Sequence, residues 1–289
     1  MVSTKEEVLN TCLDLFRRLD PKNTSTNLNN LCRLVPDQAD DLLTMVDKPL
    51  GVKRCEVSGK NFLTCDYNRD GDSYRSPWSD RYFPEEESGA LHPGKVLRQM
   101  EMFANESFDI YRGLYYEGGI SSVYLWDTNE DDADIDESGK VGFAGVALLK
   151  KSINPQSNGT SGIDSGSWDS IHVFEIDPTS SSSAIYQITS TVILDIATEN
   201  KSEDDSIYLS GNLTRQVEKE LPFENSSTHI SNVGSMVEDM EFKLRNILQE
   251  VYFGKTKDIL GDIRSIENLS SVNEDKLKHE ELVKGFQSL

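Results

Sequence analysis

The chain has 289 residues, of which 50 are Asp or Glu and 29 are Lys or Arg, so its formal net charge is −21. That charge argues against non-specific binding to nucleic acid or to an anionic membrane surface. No run approaches the roughly 18 apolar residues of a membrane-spanning helix. The N-terminal stretch MVSTKEEVLN lacks the basic start and apolar core of a secretory signal, so we expect an intracellular protein.

Three short helices are predicted at the N-terminus. The first, over residues 3–19, begins with a capping box of Ser3 and Glu6 and continues with apolar residues at helical spacing. The second is expected over 27–34 and the third over 37–46, each followed by a proline. Short helices joined in this way predict a small helical bundle.

A longer helix is predicted further along the chain. Residues 50–93 are irregular in pattern and rich in turn residues, and the helix follows over 95–115. Gly118 and Gly119 are expected to end it. Its inner face is predicted to carry Met100, Ala104, Ser107, Tyr111 and Leu114.

The middle of the chain predicts five strands, which are rich in Val, Ile, Tyr and Phe and separated by short polar connections. Such a series indicates an antiparallel meander. The acidic stretch 128–140 between the first two strands is interpreted as a solvated loop rather than a metal cage. The predicted strands cover residues 121–127, 143–151, 168–177, 184–196 and 207–216.

The strongest periodic signal is an apolar seam near the C-terminus, with steps that alternate between three and four residues. It predicts a long helix packed on a sheet or on another helix, with a continuation past Gly254. The last residues predict a short amphipathic helix, with Leu282, Val283 and Phe286 on one side. The seam consists of Ile230, Val233, Val237, Met240, Leu244, Ile247 and Val251.

Together these elements predict an α+β fold. Its parts are an N-terminal helical bundle, a central antiparallel meander sheet, a long C-terminal helix across the sheet, and a mobile amphipathic tail helix. The expected divisions are 1–48, 49–120, 121–217, 228–267 and 270–289.

Catalytic and cofactor motifs are weak or broken. Near His279 the second histidine of an H-E-x-x-H zinc site is missing, and the sequence has no G-x-S-x-G nucleophile elbow. Residues 254–256 resemble the end of a phosphate-binding loop, but Gln249 stands where that motif needs glycine. Cysteines at 12, 32, 55 and 65 are expected to be buried as small hydrophobic residues; zinc ligation is the alternative, but their spacings fit no zinc pattern. The residues therefore give no specific support for an enzyme.

The stretch CDYNRDGDSYRSPWS, residues 65–79, begins like a calcium-binding EF-hand loop. Residues 66–74 place Asp, Asn, Gly and Tyr at the loop positions that such a site uses, but the twelfth position is Pro77 instead of a bidentate Glu. Our interpretation is a structural turn. Arg69 or Arg75 is expected to pin it to nearby carboxylates, and Trp78 to anchor it in a core.

The same stretch closely resembles a signature segment of the F-actin capping protein beta subunit family. Further segments resemble that family in the same order over nearly the whole chain. They include YRGLYYEGGISSVYLWD (111–127), WDSIHVFE (168–175), LSGNLTRQVEK (209–219) and VYFGKTKDI (251–259).

The resemblance implies a heterodimer with an alpha subunit of similar fold that caps the barbed ends of actin filaments, without enzymatic activity, metal or cofactor. Arg245 and Arg264 match basic residues linked to actin binding, and Lys255 and Lys257 lie in the family's GKTKD segment. Leu282 matches an apolar residue of the mobile tail.

The implied mechanism has two parts. Basic residues meet acidic actin, and the tail then docks a face formed by Leu282, Val283 and Phe286 into an apolar groove. The implied location is the cytoplasmic actin cytoskeleton, with cortical actin patches in a fungal cell. The alternatives are a calcium-regulated binding module that uses residues 66–74, and a dimeric scaffold that does not cap actin.

Overall fold

The structure is a computed structural model in which the chain forms two compact units, residues 1–240 and 241–289. No helix in the described part of the chain is long and apolar enough to cross a membrane. The described residues are 5–16, 18–19, 23–46, 48–85, 92–128, 142–153, 165–198, 207–254, 257 and 277–278.

The N-terminal helices are α1 (Lys5–Phe16), α2 (Thr24–Leu34) and α3 (Ala39–Met45), and a 3-10 turn precedes α3. The second and third predicted helices are therefore confirmed, with ends shifted by up to three residues. The first is confirmed from Lys5 to Phe16, and its predicted cap at Ser3 lies outside the described residues. Their apolar faces meet in one cluster, centred on the buried residues Cys12, Leu28, Leu31 and Leu42.

Residues 50–93 are more regular than predicted, because five short strands lie within them. β1 (Gly51–Arg54) and β2 (Asn61–Thr64) form a hairpin. A small three-stranded antiparallel sheet follows, with β4 in the middle. Strands of two to four residues are too short to show an alternating pattern, so the stretch as a whole looked irregular. The small sheet consists of β3 (Arg69–Asp70), β4 (Ser73–Arg75) and β5 (Tyr82–Phe83).

Helix α4 (Lys95–Tyr115) has the predicted bounds. Gly118, with φ of +72°, follows its end, and this left-handed conformation suits glycine. The predicted inner face was wrong at Leu114, whose exposed fraction is 75%. The buried face includes two polar residues, because both find partners inside the fold. Its members are Leu97, Met100, Glu101, Ala104, Asn105 and Phe108.

The predicted antiparallel meander is confirmed as a sheet of five strands in the order β10-β9-β8-β7-β6. One face packs against α4 and the first part of the next helix, in the largest core cluster. The opposite face packs around Leu50, Leu63, Tyr124 and Val146. The strands are β6 (Ile120–Asp127), β7 (Phe143–Ile153), β8 (Ser165–Pro178), β9 (Ser183–Thr198) and β10 (Ile207–Pro222).

A buried carboxylate fixes the chain where it enters β1. The backbone N–H of Leu50 donates to Asp169 Oδ2 at 2.8 Å, and Lys150 Nζ donates to both carboxylate oxygens of Asp169 at 2.8 Å. Burial raises the pKa of Asp169, and the lysine and the Leu50 N–H oppose that rise. The long-range bond attaches the β1–β2 hairpin to the sheet.

Helix α5 (Ser226–Gln249) is the predicted seam helix. Asn225 caps its start, since Asn225 Oδ1 accepts a hydrogen bond from the N–H of Thr228 at 3.1 Å. The seam is buried from Ile230 to Leu244. Ile247 is only partly buried, and the predicted seam was wrong at Val251, which is 43% exposed and lies in a π-helical turn over Glu250–Gly254. The continuation expected beyond Gly254 falls outside the described residues, as does the acidic stretch from 129 onward.

Candidate functional site

The last part of α5, from Glu241 to Gln249, presents two different faces. Glu241, Leu244 and Leu248 are buried, at 3%, 0% and 5% exposure. Phe242 and Arg245 lie three residues apart on the exposed side, where helical geometry makes them neighbours. Phe242 is 68% exposed, an unusual position for a large aromatic side chain on a helix. This face therefore offers an apolar and a cationic group side by side.

Two of the predicted site residues can be placed. Arg245 is exposed on α5, and Lys257 is exposed and helical just beyond the π-helical turn. Lys243 is a second exposed cation on this part of α5. The remaining members of the predicted set fall outside the described residues. These are Lys255, Arg264, Leu282, Val283 and Phe286.

Phe242 is the residue of this surface that sequence reasoning missed. It stands outside the apolar seam, since the seam passes through Met240 and Leu244. That mismatch was the available signal: an aromatic side chain off the buried stripe of an otherwise amphipathic helix has to be exposed or covered by a partner.

The EF-hand-like stretch 65–79 is a turn in which Asn68, at the third loop position, forms hydrogen bonds with backbone groups. Asn68 is buried, its Oδ1 accepts from the Cys65 N–H at 2.9 Å, and its Nδ2 donates to the carbonyl of Arg75 at 2.9 Å. Asp66 lies 3.4 Å from Lys48 Nζ, and the Asp72 side chain is fully exposed. Within the described ranges, no group of three His, Cys, Asp or Glu is arranged to hold a metal ion.

The turn is pinned as predicted, by Arg75. Its guanidinium, 5% exposed, donates to both carboxylate oxygens of Glu101 on α4, at 2.8 and 2.7 Å, and to Asp80 at 2.8 Å. Burial opposes the charge of Arg75, but its bonds to Glu101 and Asp80 outweigh that effect and raise its pKa. Trp78 packs at the edge of a core cluster, and its Nε1–H donates to the carbonyl of Asn61 at 3.0 Å. This stretch is thus a structural clamp on α4.

Comparison with known proteins finds relatives that match this chain over nearly its whole length. The sequence model of the family described as "F-actin capping protein, beta subunit" matches residues 9–260. A protein of Yarrowia lipolytica named F-actin-capping protein subunit beta is 53% identical, over 98% of this chain and 99% of its own length. Proteins of the same name are 50% identical in Neurospora crassa, over 94% of each chain, and 47% identical in Debaryomyces hansenii, over the full length of both. The chain belongs to the F-actin capping protein beta subunit family.

Proposed function

We propose that the chain pairs with a capping protein alpha subunit and that the heterodimer binds the barbed end of the actin filament, where it blocks both gain and loss of subunits. The observation that carries the proposal is the similarity to fungal capping subunits along almost the entire chain. The family is one of structural actin-binding proteins, so the heterodimer acts by occupying the filament end and needs no chemical step.

The free edge of the sheet supports a partner subunit. β10 pairs with β9 along sixteen residue pairs, and on its other side it has no strand within the described part of the chain. Strand edges of this length are normally covered, because their unpaired N–H and C=O groups invite association. At the opposite edge, β6 has a continuous run of buried residues from Ser121 to Leu125. The proposed alpha subunit therefore covers β10 rather than β6.

Exposed apolar side chains give independent support for a partner. On α4, Phe103, Ile110 and Leu114 are 44%, 68% and 75% exposed and follow one face at helical spacing. Leu34 on α2 is 74% exposed. A row of large apolar side chains on a helix marks an interaction surface. The chain is thus completed by its partner, and we expect it to aggregate when it is produced alone.

Actin contact is assigned to the basic surface at the end of α5. Arg245, Lys257 and the sequence-predicted Lys255 and Arg264 supply positive charge in an otherwise acidic chain. Complementary charge raises the rate of association more than it raises affinity, so these residues speed capture of acidic actin. Phe242 adds an apolar contact beside Arg245.

The tail completes the proposed mechanism. Leu282, Val283 and Phe286 share one side of an amphipathic helix by sequence, which is the pattern of a helix that docks into an apolar groove. Their contribution is to slow the release of a captured filament end. A heterodimer whose beta chain ends at Asn268 should therefore bind and then escape faster.

Calcium independence is also proposed. Asn68 is used within the turn, and Pro77 replaces the ligand that closes an EF-hand site. A calcium titration of capping and of tryptophan fluorescence tests this, and a calcium-dependent change in both would favour the binding-module alternative. The proposed location is the actin cytoskeleton, including cortical patches of a fungal cell.

Seeded actin elongation tests the proposed surface. The co-expressed heterodimer should stop barbed-end growth, and Arg245→Glu should weaken the block about tenfold through the capture rate. Lys243→Glu is the matched control, because it makes the same change of charge on the same helix. Equal effects of both substitutions would assign the contact to net charge and not to the position of Arg245.

A further inference from the structure

The β1–β2 hairpin is positively charged, in contrast to the acidic chain as a whole. Residues 48–64 contain four basic residues and one acidic residue, Glu56, although the whole chain has a net charge of −21. Three of the cations, Lys53, Arg54 and Lys60, belong to the hairpin strands or to the turn between them. The hairpin is therefore a positive element on an acidic protein.

Neutral groups hold two of these cations in place. Lys53 Nζ donates to the carbonyl of Phe83 at 3.1 Å and lies 4.5 Å from the centroid of the Tyr74 ring. Lys60 Nζ lies 4.1 Å from the centroid of the Trp78 ring. Aromatic faces orient a cation without cancelling its charge.

Arg54 is the third cation, and it is exposed. Its Nε–H donates to the carbonyl of Gly59, at 3.1 Å, across the turn of the hairpin. By contrast, Lys48 outside the hairpin forms an ion pair with Asp66. No carboxylate in the described part of the chain pairs with Lys53, Arg54 or Lys60. An acidic ligand would therefore displace no carboxylate of the described residues.

The hairpin also offers apolar surface and a firm base. Val52 and Val57 are 45% and 59% exposed, and they belong to the same strand and turn as the cations. Cys55 and Phe62 of the same hairpin are completely buried in a cluster with Phe83. Lys53 and Arg54 follow each other on a strand and so project from opposite faces, whereas Arg54, Val57 and Lys60 belong to the turn end of the hairpin. A ligand at that end would meet two cations beside an apolar side chain on a firmly packed hairpin, which lowers the entropy cost of binding.

We propose that the turn end of the hairpin 51–64 binds a short acidic segment of a partner protein, with Asp or Glu side chains at Arg54 and Lys60 and an apolar side chain at Val57. A peptide fits better than a lipid surface. A short segment needs only the two cations and the apolar side chain at the turn, whereas a membrane would bring an extended anionic surface against a chain of net charge −21. The same repulsion disfavours nucleic acid.

The test measures fluorescence anisotropy of a labelled short peptide rich in Asp and Glu with two leucines, titrated with the heterodimer at low salt. Arg54→Glu with Lys60→Glu reverses two exposed cations. Arg18→Glu with Lys95→Glu is the matched control, since it makes the same charge change at exposed sites outside the hairpin. We expect the hairpin variant to bind at least about tenfold more weakly than the control, and salt to weaken binding by the unaltered protein.

Equal affinities of the two double variants, or no binding of the peptide by the unaltered heterodimer, would overturn the proposal. So would binding to phosphatidylserine vesicles in preference to the peptide. Actin capping is measured on the same samples. Normal capping by the hairpin variant separates this surface from the one proposed for actin and shows that the variant is folded.

Discussion

Substitution of Glu101 by Gln tests the clamp between the turn at 65–79 and α4. Glu101 is completely buried, and its carboxylate accepts hydrogen bonds from Arg75, from Arg98 and from the backbone N–H of Leu125 at 2.8 Å. Gln has nearly the same volume, so packing is preserved. The substitution removes the negative charge and replaces one acceptor with a donor that faces the arginines.

The expected loss follows from the charges that remain. Arg75 keeps Asp80, whose carboxylate is 2.8 Å away, and Arg98 keeps the carbonyl of Pro77 at 2.7 Å. Removal of one partner of a buried ion pair costs about 3–5 kcal/mol, because the other charge stays buried without full compensation. We therefore expect Glu101→Gln to lower the free energy of unfolding of the heterodimer by about 3–5 kcal/mol.

Urea unfolding, followed by tryptophan fluorescence at one fixed heterodimer concentration, measures this loss. Glu106→Gln is the control, since it makes the same change at an exposed position of α4 and should cost less than about 0.5 kcal/mol. If Glu101→Gln lost no more stability than Glu106→Gln, the clamp would not stabilise the fold and the reasoning would be refuted.

Three further predictions concern single side chains. Asn105→Ala should cost about 2–4 kcal/mol in urea unfolding, because Asn105 bonds both the N–H and the carbonyl of Val123 inside the core. Gly145→Ala should lower the melting temperature, since a Cβ would lie 2.5 Å from the Phe174 ring; an unchanged value would contradict this. Burial opposes the thiolate of Cys55, but hydrogen bonds from serines outweigh it and lower its pKa to about 6. Between this pKa and the ordinary thiol value of 9.0, the folded chain binds fewer protons than the unfolded chain. The contribution of Cys55 to the free energy of unfolding should therefore be fully present above pH 9.0 and disappear as the pH falls through about 6. In urea unfolding at a series of pH values, Cys55→Ser should abolish this pH dependence.

The main elements could be predicted from the sequence because their patterns are long. β7 to β10 each extend over eleven residues or more, with runs of Val, Ile and Tyr. α4 combines a helical stripe with a glycine stop at Gly118. Local signals of this length outweigh single unfavourable residues, so the predicted and observed bounds of these strands agree to within three positions, except that β10 ends at Pro222 rather than at residue 216.

Features that depend on distant partners could not be predicted. Glu101 reads as a surface residue until Arg75 and Arg98 surround it. Val251 continues the apolar seam in the sequence but is 43% exposed in the structure. These outcomes depend on tertiary contacts, which a periodic pattern does not contain.

The candidate site was accessible from sequence only through family resemblance. Arg245 carries no local signal that separates it from any other exposed arginine of a helix, and its exposure beside Phe242 emerges from the structure. The pinning of the turn by Arg75 was different, since the Asp, Asn and Gly composition of that stretch already indicated a structural turn.

Capping itself is tested most directly by watching single actin filaments grow by fluorescence microscopy while the co-expressed alpha–beta heterodimer is added. We predict that barbed ends stop growing and stop shortening, that pointed ends are unaffected, and that ends resume growth sooner when the beta chain ends at Asn268. Continued barbed-end growth in the presence of a well-folded heterodimer would contradict the proposed function and favour the scaffold alternative.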